Sequence, residues 1–483
     1  MPVVDRSELL SVIRGYNPWW RGDKQDVPRF KRIAYDKCLQ YLLHPSLKRA
    51  VLLAGPRRVG KTTVLRQIAN DLALGEDSAW SPPSILYLSL DHPLVKLSSL
   101  PELLRLYHEL IHPEGQPTVL LLDEVQYARD WEDHLKQLVD HHSEYRILAT
   151  GSATVTQQED LIDTGVGRWV RVLVPTLSFY EFTQIGEQNA PDVDEELKPR
   201  DLFECAPSRL ADIAVRARSI FPSFQRYLLV GGFPETATLP TELAQRLLRE
   251  DVVERVLKRD MTALFGVRKV DELERLFLYL CIHTGGILEI QKVANALEVS
   301  PSTVSSHAGF LAQAGLIYVL PPIRIGGKKV LKARNKIYLA DAALRSAVLL
   351  RGDDVLTRPD ELGMIVETAV LRHLISYHYA DNPRVGYWRD SPSGREVDII
   401  VESPGYRIAV EVKYRLDAGI PAKAGIHSYC DAESVSHAYW VTQRGNDFDV
   451  RPCGTSKTPV LRIPAHLFMY LLGQAERGLA QGD

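Results

Sequence analysis
Three short apolar runs stand out along the first third of the chain: Ala50–Ala54, Thr118–Leu122 and Arg146–Thr150. Each is too short for a buried helix and reads as a strand covered on both faces, as in a parallel sheet. Segments of helical period separate them, so residues 49–190 are expected to form an α/β core. A helical stretch near Phe30–Leu43 belongs to a lead-in over residues 1–48 that also carries Asn17-Pro18-Trp19-Trp20-Arg21. Residues 186–204 are acidic and weakly periodic and read as a loop. Helical periodicity then extends to about 275, broken at Gly231-Gly232-Phe233-Pro234, and residues 191–275 are expected to form a helical lid.

Over 276–340 the pattern changes to two short amphipathic helices, Leu288–Leu297 and Thr303–Ala314, joined at Val299-Ser300-Pro301-Ser302. A strand starts at Leu316. This is the plan of a winged helix-turn-helix, whose second helix enters a major groove. Val304, Ala308 and Leu311 take the core face, leaving Ser305 and Ser306 off it. Over 341–483 the clearest element is a hairpin. Glu396–Val401 and Arg407–Lys413 alternate with period two around the turn at Ser403-Pro404-Gly405-Tyr406. The alternation gathers Asp398, Glu411 and Lys413 on one face.

Candidate chemistry begins where the first strand ends. Gly55-Pro56-Arg57-Arg58-Val59-Gly60-Lys61-Thr62 fits G-x-x-x-x-G-K-[ST] and leads, through Thr63, into a helix. The glycines let backbone N–H groups turn toward phosphate, Lys61 reaches the β- and γ-phosphates, and the Thr62 hydroxyl is a ligand for Mg²⁺. The second strand ends in Asp123-Glu124. The first carboxylate suits Mg²⁺, and the second suits polarising the attacking water. Thr150 and Ser152, at the tip of the third strand, are candidates for sensing the γ-phosphate or for capping a helix. No Asn-Lys-x-Asp element is present, so ATP is favoured over GTP.

Composition adds little: 45% hydrophobic and 25% charged residues, with a net charge of −3. No apolar run approaches the length of a membrane span. No leader pattern opens the chain, and a cytoplasmic location is expected. Five scattered cysteines suggest neither a disulfide framework nor a zinc site. Charge matters locally. Arg324, Lys328, Lys329, Lys332, Arg334 and Lys336 form a basic run without an acid, suited to phosphate contact on DNA. A protein-binding winged helix with a solvated basic wing is the other reading. In the hairpin, Asp398 and Glu411 with Glu367 from an upstream helix would make a second metal site beside Lys413. The other reading is a hairpin with charges on its wet face.

Taken with Gly167-Arg168, Val174–Phe182, Tyr227–Glu235, Lys336–Asp341, Glu396–Asp398 and Glu411–Lys413, these motifs resemble a family of archaeal and bacterial AAA+ ATPases that end in a domain of unknown function. The last pair is similar to the core of the restriction-endonuclease-like fold. With Glu367 it resembles archaeal Holliday-junction resolvases. The resemblance implies a multidomain α/β chain: a P-loop AAA+ sheet with helical lid, a winged helix-turn-helix and a restriction-endonuclease-like C-terminal domain. It also implies a homo-oligomer, such as a hexameric ring, in which an arginine touches the neighbour's γ-phosphate. Arg168 is the candidate, with a surface ion pair as the other reading. Three functions follow: an ATP-driven protein that remodels or translocates DNA, including branched junctions; an ATP-coupled metal-dependent nuclease; and a nucleotide-gated switch that binds a protein partner.

Overall fold
A computed structural model describes residues 5–76, 78–151, 167–186, 191, 193–323, 334–390, 393–417, 419–455 and 458–482. The chain divides into two compact units, Met1–Val174 with Ala480–Asp483, and Pro175–Leu479.

The first unit is built on a parallel sheet of β1 (Ala50–Ala54), β2 (Ile85–Ser89), β3 (Thr118–Asp123), β4 (Tyr145–Gly151) and β5 (Trp169–Leu173), in the order β2-β3-β4-β1-β5. Residues of β1, β2 and β3 are buried throughout, which explains why these strands are apolar without alternation. One face packs against the helices Leu100–Leu110 and Trp131–His141 through Leu52, Leu86, Leu88, Leu120, Leu122 and Ala149. The helix Lys61–Leu74 packs against β2, β3 and β4.

The lead-in residues close the open margin of this sheet. Asn17 accepts from the Tyr87 amide at 2.7 Å and donates to the Tyr87 carbonyl at 2.9 Å, as a neighbouring strand would. Both indole N–H groups, of Trp19 and Trp20, donate to the Ile85 carbonyl. An exposed strand margin is thereby covered.

The second unit holds two sheets. The smaller is antiparallel, β6 (Gly286–Ile287), β7 (Ile317–Leu320) and β8 (Lys336–Leu339), with β8 in the middle. Its helices are Val270–Ile282, Ile290–Leu297 and Pro301–Gln313. Glu298, at φ +57°, ends the second of these. The Ser300 hydroxyl accepts from the Thr303 amide at 3.1 Å to start the third.

The larger sheet comprises β9 (Arg384–Arg389), β10 (Glu396–Ser403), β11 (Tyr406–Lys413), β12 (His437–Thr442), β13 (Asp449–Pro452) and β14 (Pro459–Pro464), ordered β13-β14-β12-β11-β10-β9. The β10–β11 hairpin turns at Gly405, whose φ of +102° suits glycine. The helix Pro359–Tyr377 packs against β11, and Gly425–Ala432 packs against β10 and β11. After β7 the chain adds to this sheet: the Ile323 amide donates to the Tyr387 carbonyl at 2.8 Å. Helix Phe179–Ile185, started by a Ser178/Glu181 capping box, also lies in this unit. Its Phe179 amide donates to His373 at 2.8 Å, and its ring meets Phe224.

Asn17→Ala leaves both backbone groups of Tyr87 without their partner, at a cost of about 1–3 kcal/mol. Native-state hydrogen exchange should show the Tyr87 amide losing protection while β3 amides keep theirs. Equal protection at Tyr87 in both proteins would refute the role given to Asn17.

Candidate functional sites
All five strands of the first sheet run the same way, so the ends of β1, β3 and β4 meet at one edge, with Leu53 beside Thr150. The loop 55–62 leaves β1 at this edge. Gly55 lies so close to Val174 that a Cβ would come within 2.0 Å of the Val174 carbonyl oxygen. Gly60, at φ +94°, turns the chain into the helix that starts at Lys61. From the lead-in, Arg32 donates to the Val59 carbonyl at 2.7 Å and holds the loop from behind. Lys61 Nζ bends over the loop, 2.9 Å from the Gly55 carbonyl and 2.8 Å from that of Pro56. Pro56 is buried, while Arg57, Arg58 and Thr63 are half-buried; Arg57 donates to the Tyr127 hydroxyl at 3.2 Å.

Asp123 is the acceptor at the centre of this edge. Thr62 donates to its Oδ2 at 2.8 Å, Tyr87 to the same oxygen at 2.9 Å, and Thr150 to Oδ1. Burial pushes its pKa up, and these hydroxyls oppose the shift. Thr150 also accepts from the Glu124 amide at 2.9 Å, so one hydroxyl fixes both acids. Glu124 stands in a left-handed backbone conformation (φ +58°), half-buried, with Gln126 donating to its carboxylate. The expected residues Lys61, Thr62, Asp123, Glu124 and Thr150 therefore share one site. A hydroxyl and a carboxylate in contact are an oxygen donor set suited to Mg²⁺. Ser152 lies outside the described residues. Arg168 precedes β5 and so stands at the opposite edge, paired with Asp140 at 2.8 Å. Sequence reasoning missed Arg32, Tyr87 and Tyr127, which are single polar residues with no motif around them.

A second charged centre lies in the larger unit. Asp398, Glu411 and Lys413 converge as the hairpin alternation implies, with Glu367 beside them; Asp398 and Glu411 are buried, and Glu367 and Lys413 are partly so. Lys413 Nζ is 2.6 Å from Glu411 Oε1 and 3.4 Å from Asp398 Oδ2. The Val412 amide donates to Asp398 Oδ2 at 3.0 Å. Lys336, expected on a basic wing in contact with DNA, is instead the first residue of β8 and only 3% exposed. Its ammonium lies 3.6 Å from Asp398 Oδ1 and 3.8 Å from Glu367 Oε1, and it pairs with Glu396. Tyr338 donates to Glu367 at 2.6 Å.

The metal reading of this centre does not fit. An ammonium adjoins each pair of carboxylates that a divalent ion would have to share: Lys336 lies by Glu367 and Asp398, and Lys413 by Asp398 and Glu411. Among the described residues no three His, Cys, Asp or Glu side chains are placed to hold a metal ion. Burial, with Asp398 nearby, pushes Glu411 up to about 8 and Glu367 up to about 7. Burial also disfavours the Asp398 carboxylate, but Lys413 and Lys336 outweigh it and hold its pKa below the ordinary value.

Of the other expected DNA contacts, Ser305 and Ser306 are exposed on the helix Pro301–Gln313. Arg334 is exposed, 3.5 Å from Glu289. Arg324, Lys328, Lys329 and Lys332 lie outside the described residues. No helix among the described residues is long and apolar enough to cross a membrane.

Residues 47–183 match the family model of an AAA domain. Residues 222–354 and 362–462 match two domains of unknown function, DUF8612 and DUF4143. With the loop, Asp123 and the sheet order above, the first match makes this region a P-loop ATPase domain of AAA type. An uncharacterized protein of Haemophilus influenzae is 25% identical over 303 residues, covering 61% of this chain and 68% of that one. One from Methanocaldococcus jannaschii is 27% identical over 326 residues, covering 64% and 65%. The chain thus spans about two thirds of the length of these relatives. Among solved structures it is similar to the Walker-type ATPase PABY2304 of Pyrococcus abyssi, with TM-score 0.37 and 14% identity over 68% of this chain and 99% of that one. The Aeropyrum pernix ORC1 protein in complex with DNA gives TM-score 0.27 and 14% identity over 69% and 96%.

The raised carboxyl groups set a pH dependence. Between about 4.5 and about 8 the folded chain keeps a proton on Glu411 that the unfolded chain releases. This contribution to stability is full at acid pH and is lost as pH rises through the folded pKa. The thermal midpoint should therefore fall from about pH 5.5 to about pH 9. Glu411→Gln should remove the upper part of that fall and leave the part due to Glu367. An unchanged pH profile in the variant would contradict the burial of an acid proton at Glu411.

Proposed function
We propose that this chain is a Mg²⁺-dependent ATPase that acts on DNA, using hydrolysis to remodel or translocate it, branched junctions included. The observation that carries the ATPase half is the contact of Thr62 with Asp123 beside Lys61. In this reading Thr62 and Asp123 would hold the ion. Mg²⁺, when bound, neutralises charge on the β- and γ-phosphate oxygens. The loop amides between Gly55 and Thr63 cradle the phosphates, and Lys61 transfers its ammonium from the loop carbonyls to them. Glu124 orients the attacking water. Thr150, bonded to both acids, relays the state of the γ-phosphate side to Glu124.

The DNA half rests on the smaller sheet and its helices. The order helix, strand, helix, turn, helix and two antiparallel strands supports the winged-helix reading, and Ser305 and Ser306 stand exposed on the helix that would enter the groove. Arg334, basic and exposed, is a further candidate for phosphate contact. A ring of copies is in keeping with AAA-type domains, and Arg168 is the candidate to reach a neighbour's γ-phosphate in it. Metal-dependent cleavage is not proposed, because the carboxylate centre carries its own cations.

ATP hydrolysis should be measured alone and with duplex, single-stranded and four-way-junction DNA, with the labelled strands then resolved by electrophoresis. The expected result is stimulation by DNA with intact strands. Lys61→Ala should lower turnover on the order of 10²-fold or more while leaving DNA binding in place. Hydrolysis without any DNA binding would replace the DNA half with a switch acting on a protein partner. Turnover unchanged in Lys61→Ala would remove the ATPase assignment.

A further inference from the structure
Lys336 is a buried charge that the ATPase reading leaves unused. It belongs to two structures at once. Its backbone is in β8, opposite Leu320 of β7 and Ile287 of β6, inside the sheet that accompanies the helix-turn-helix. Its ammonium is in the carboxylate centre of the larger sheet, against Glu396 and Asp398 of β10 and Glu367 of the helix Pro359–Tyr377.

Four carboxylates (Glu367, Glu396, Asp398 and Glu411) face two ammonium groups there. A buried charge is tolerable only when paired. Both Asp398 oxygens are taken, Oδ1 by Lys336 and Oδ2 by Lys413 and the Val412 amide. Glu367 Oε1 is taken by Tyr338 and Lys336. Glu411 Oε2 is buried without a hydrogen-bond partner. An ion shared by Glu367 and Asp398 would need their oxygens at about 2.0–2.6 Å, in the region the Lys336 ammonium occupies.

We propose that Lys336 is a built-in counter-ion that takes the place of a divalent metal in this centre and fastens β8 to β10. The centre is then a metal-free clamp between the helix-turn-helix sheet and the larger sheet. Divalent ions enter only when that ammonium is gone. The inference concerns this centre alone and stands or falls independently of ATP hydrolysis.

Terbium is a suitable probe, because the Tyr387 and Tyr338 rings lie 5.4 and 5.9 Å from Lys336 Nζ and would sensitise its luminescence. The full chain is titrated with Tb³⁺ without nucleotide, with Asp398→Asn as the reference for ions bound elsewhere. Wild type and Asp398→Asn should give the same signal. Lys336→Met should gain a site that binds about tenfold or more tighter than any wild-type difference, and that Lys336→Met/Asp398→Asn loses. Competition by Mn²⁺ should abolish the gained signal. Wild-type luminescence that Asp398→Asn removes would overturn the proposal even if Lys336→Met fails to fold. A folded Lys336→Met chain with no gained site would overturn it as well.

Discussion
Asp123 loses its water when β3 is enclosed between helices, and the hydroxyls of Thr62, Tyr87 and Thr150 replace that water. The nucleotide edge follows from this substitution. Thr62 is brought from the phosphate loop, Tyr87 from β2 and Thr150 from β4, so one carboxylate registers three separate elements. Thr150 then passes the arrangement to the Glu124 backbone. A buried anion stabilises the fold only while its donors are present. That requirement keeps Thr62, Thr150, Asp123 and the Glu124 backbone in one geometry.

The carboxylate centre of the larger unit meets the same constraint differently. Here hydroxyls and amides are too few, and lysines supply the charge. Asp398 keeps its negative charge because both ammonium groups adjoin it. Glu411 and Glu367, served less well, retain protons to higher pH.

The phosphate loop and the β10–β11 hairpin were legible because their signals are local: fixed glycine spacing in one, period two around a turn in the other. The convergence of Asp398, Glu411 and Lys413 followed from that period alone. Lys336 was misread for an equally local reason. In sequence it closes a basic run, and nothing nearby tells of Glu367, Glu396 and Asp398, which later elements bring to it. Arg32, Asn17 and Tyr87 were hidden in the same way, since each acts through a partner distant in the chain.

The cover that Asn17, Trp19 and Trp20 form over β2 constrains how copies of the ATPase unit meet. A second chain adding a strand at that margin would have to strip away an amide side chain and two indoles that already use the backbone groups of Tyr87 and Ile85. Continuous sheet growth is therefore blocked on this side.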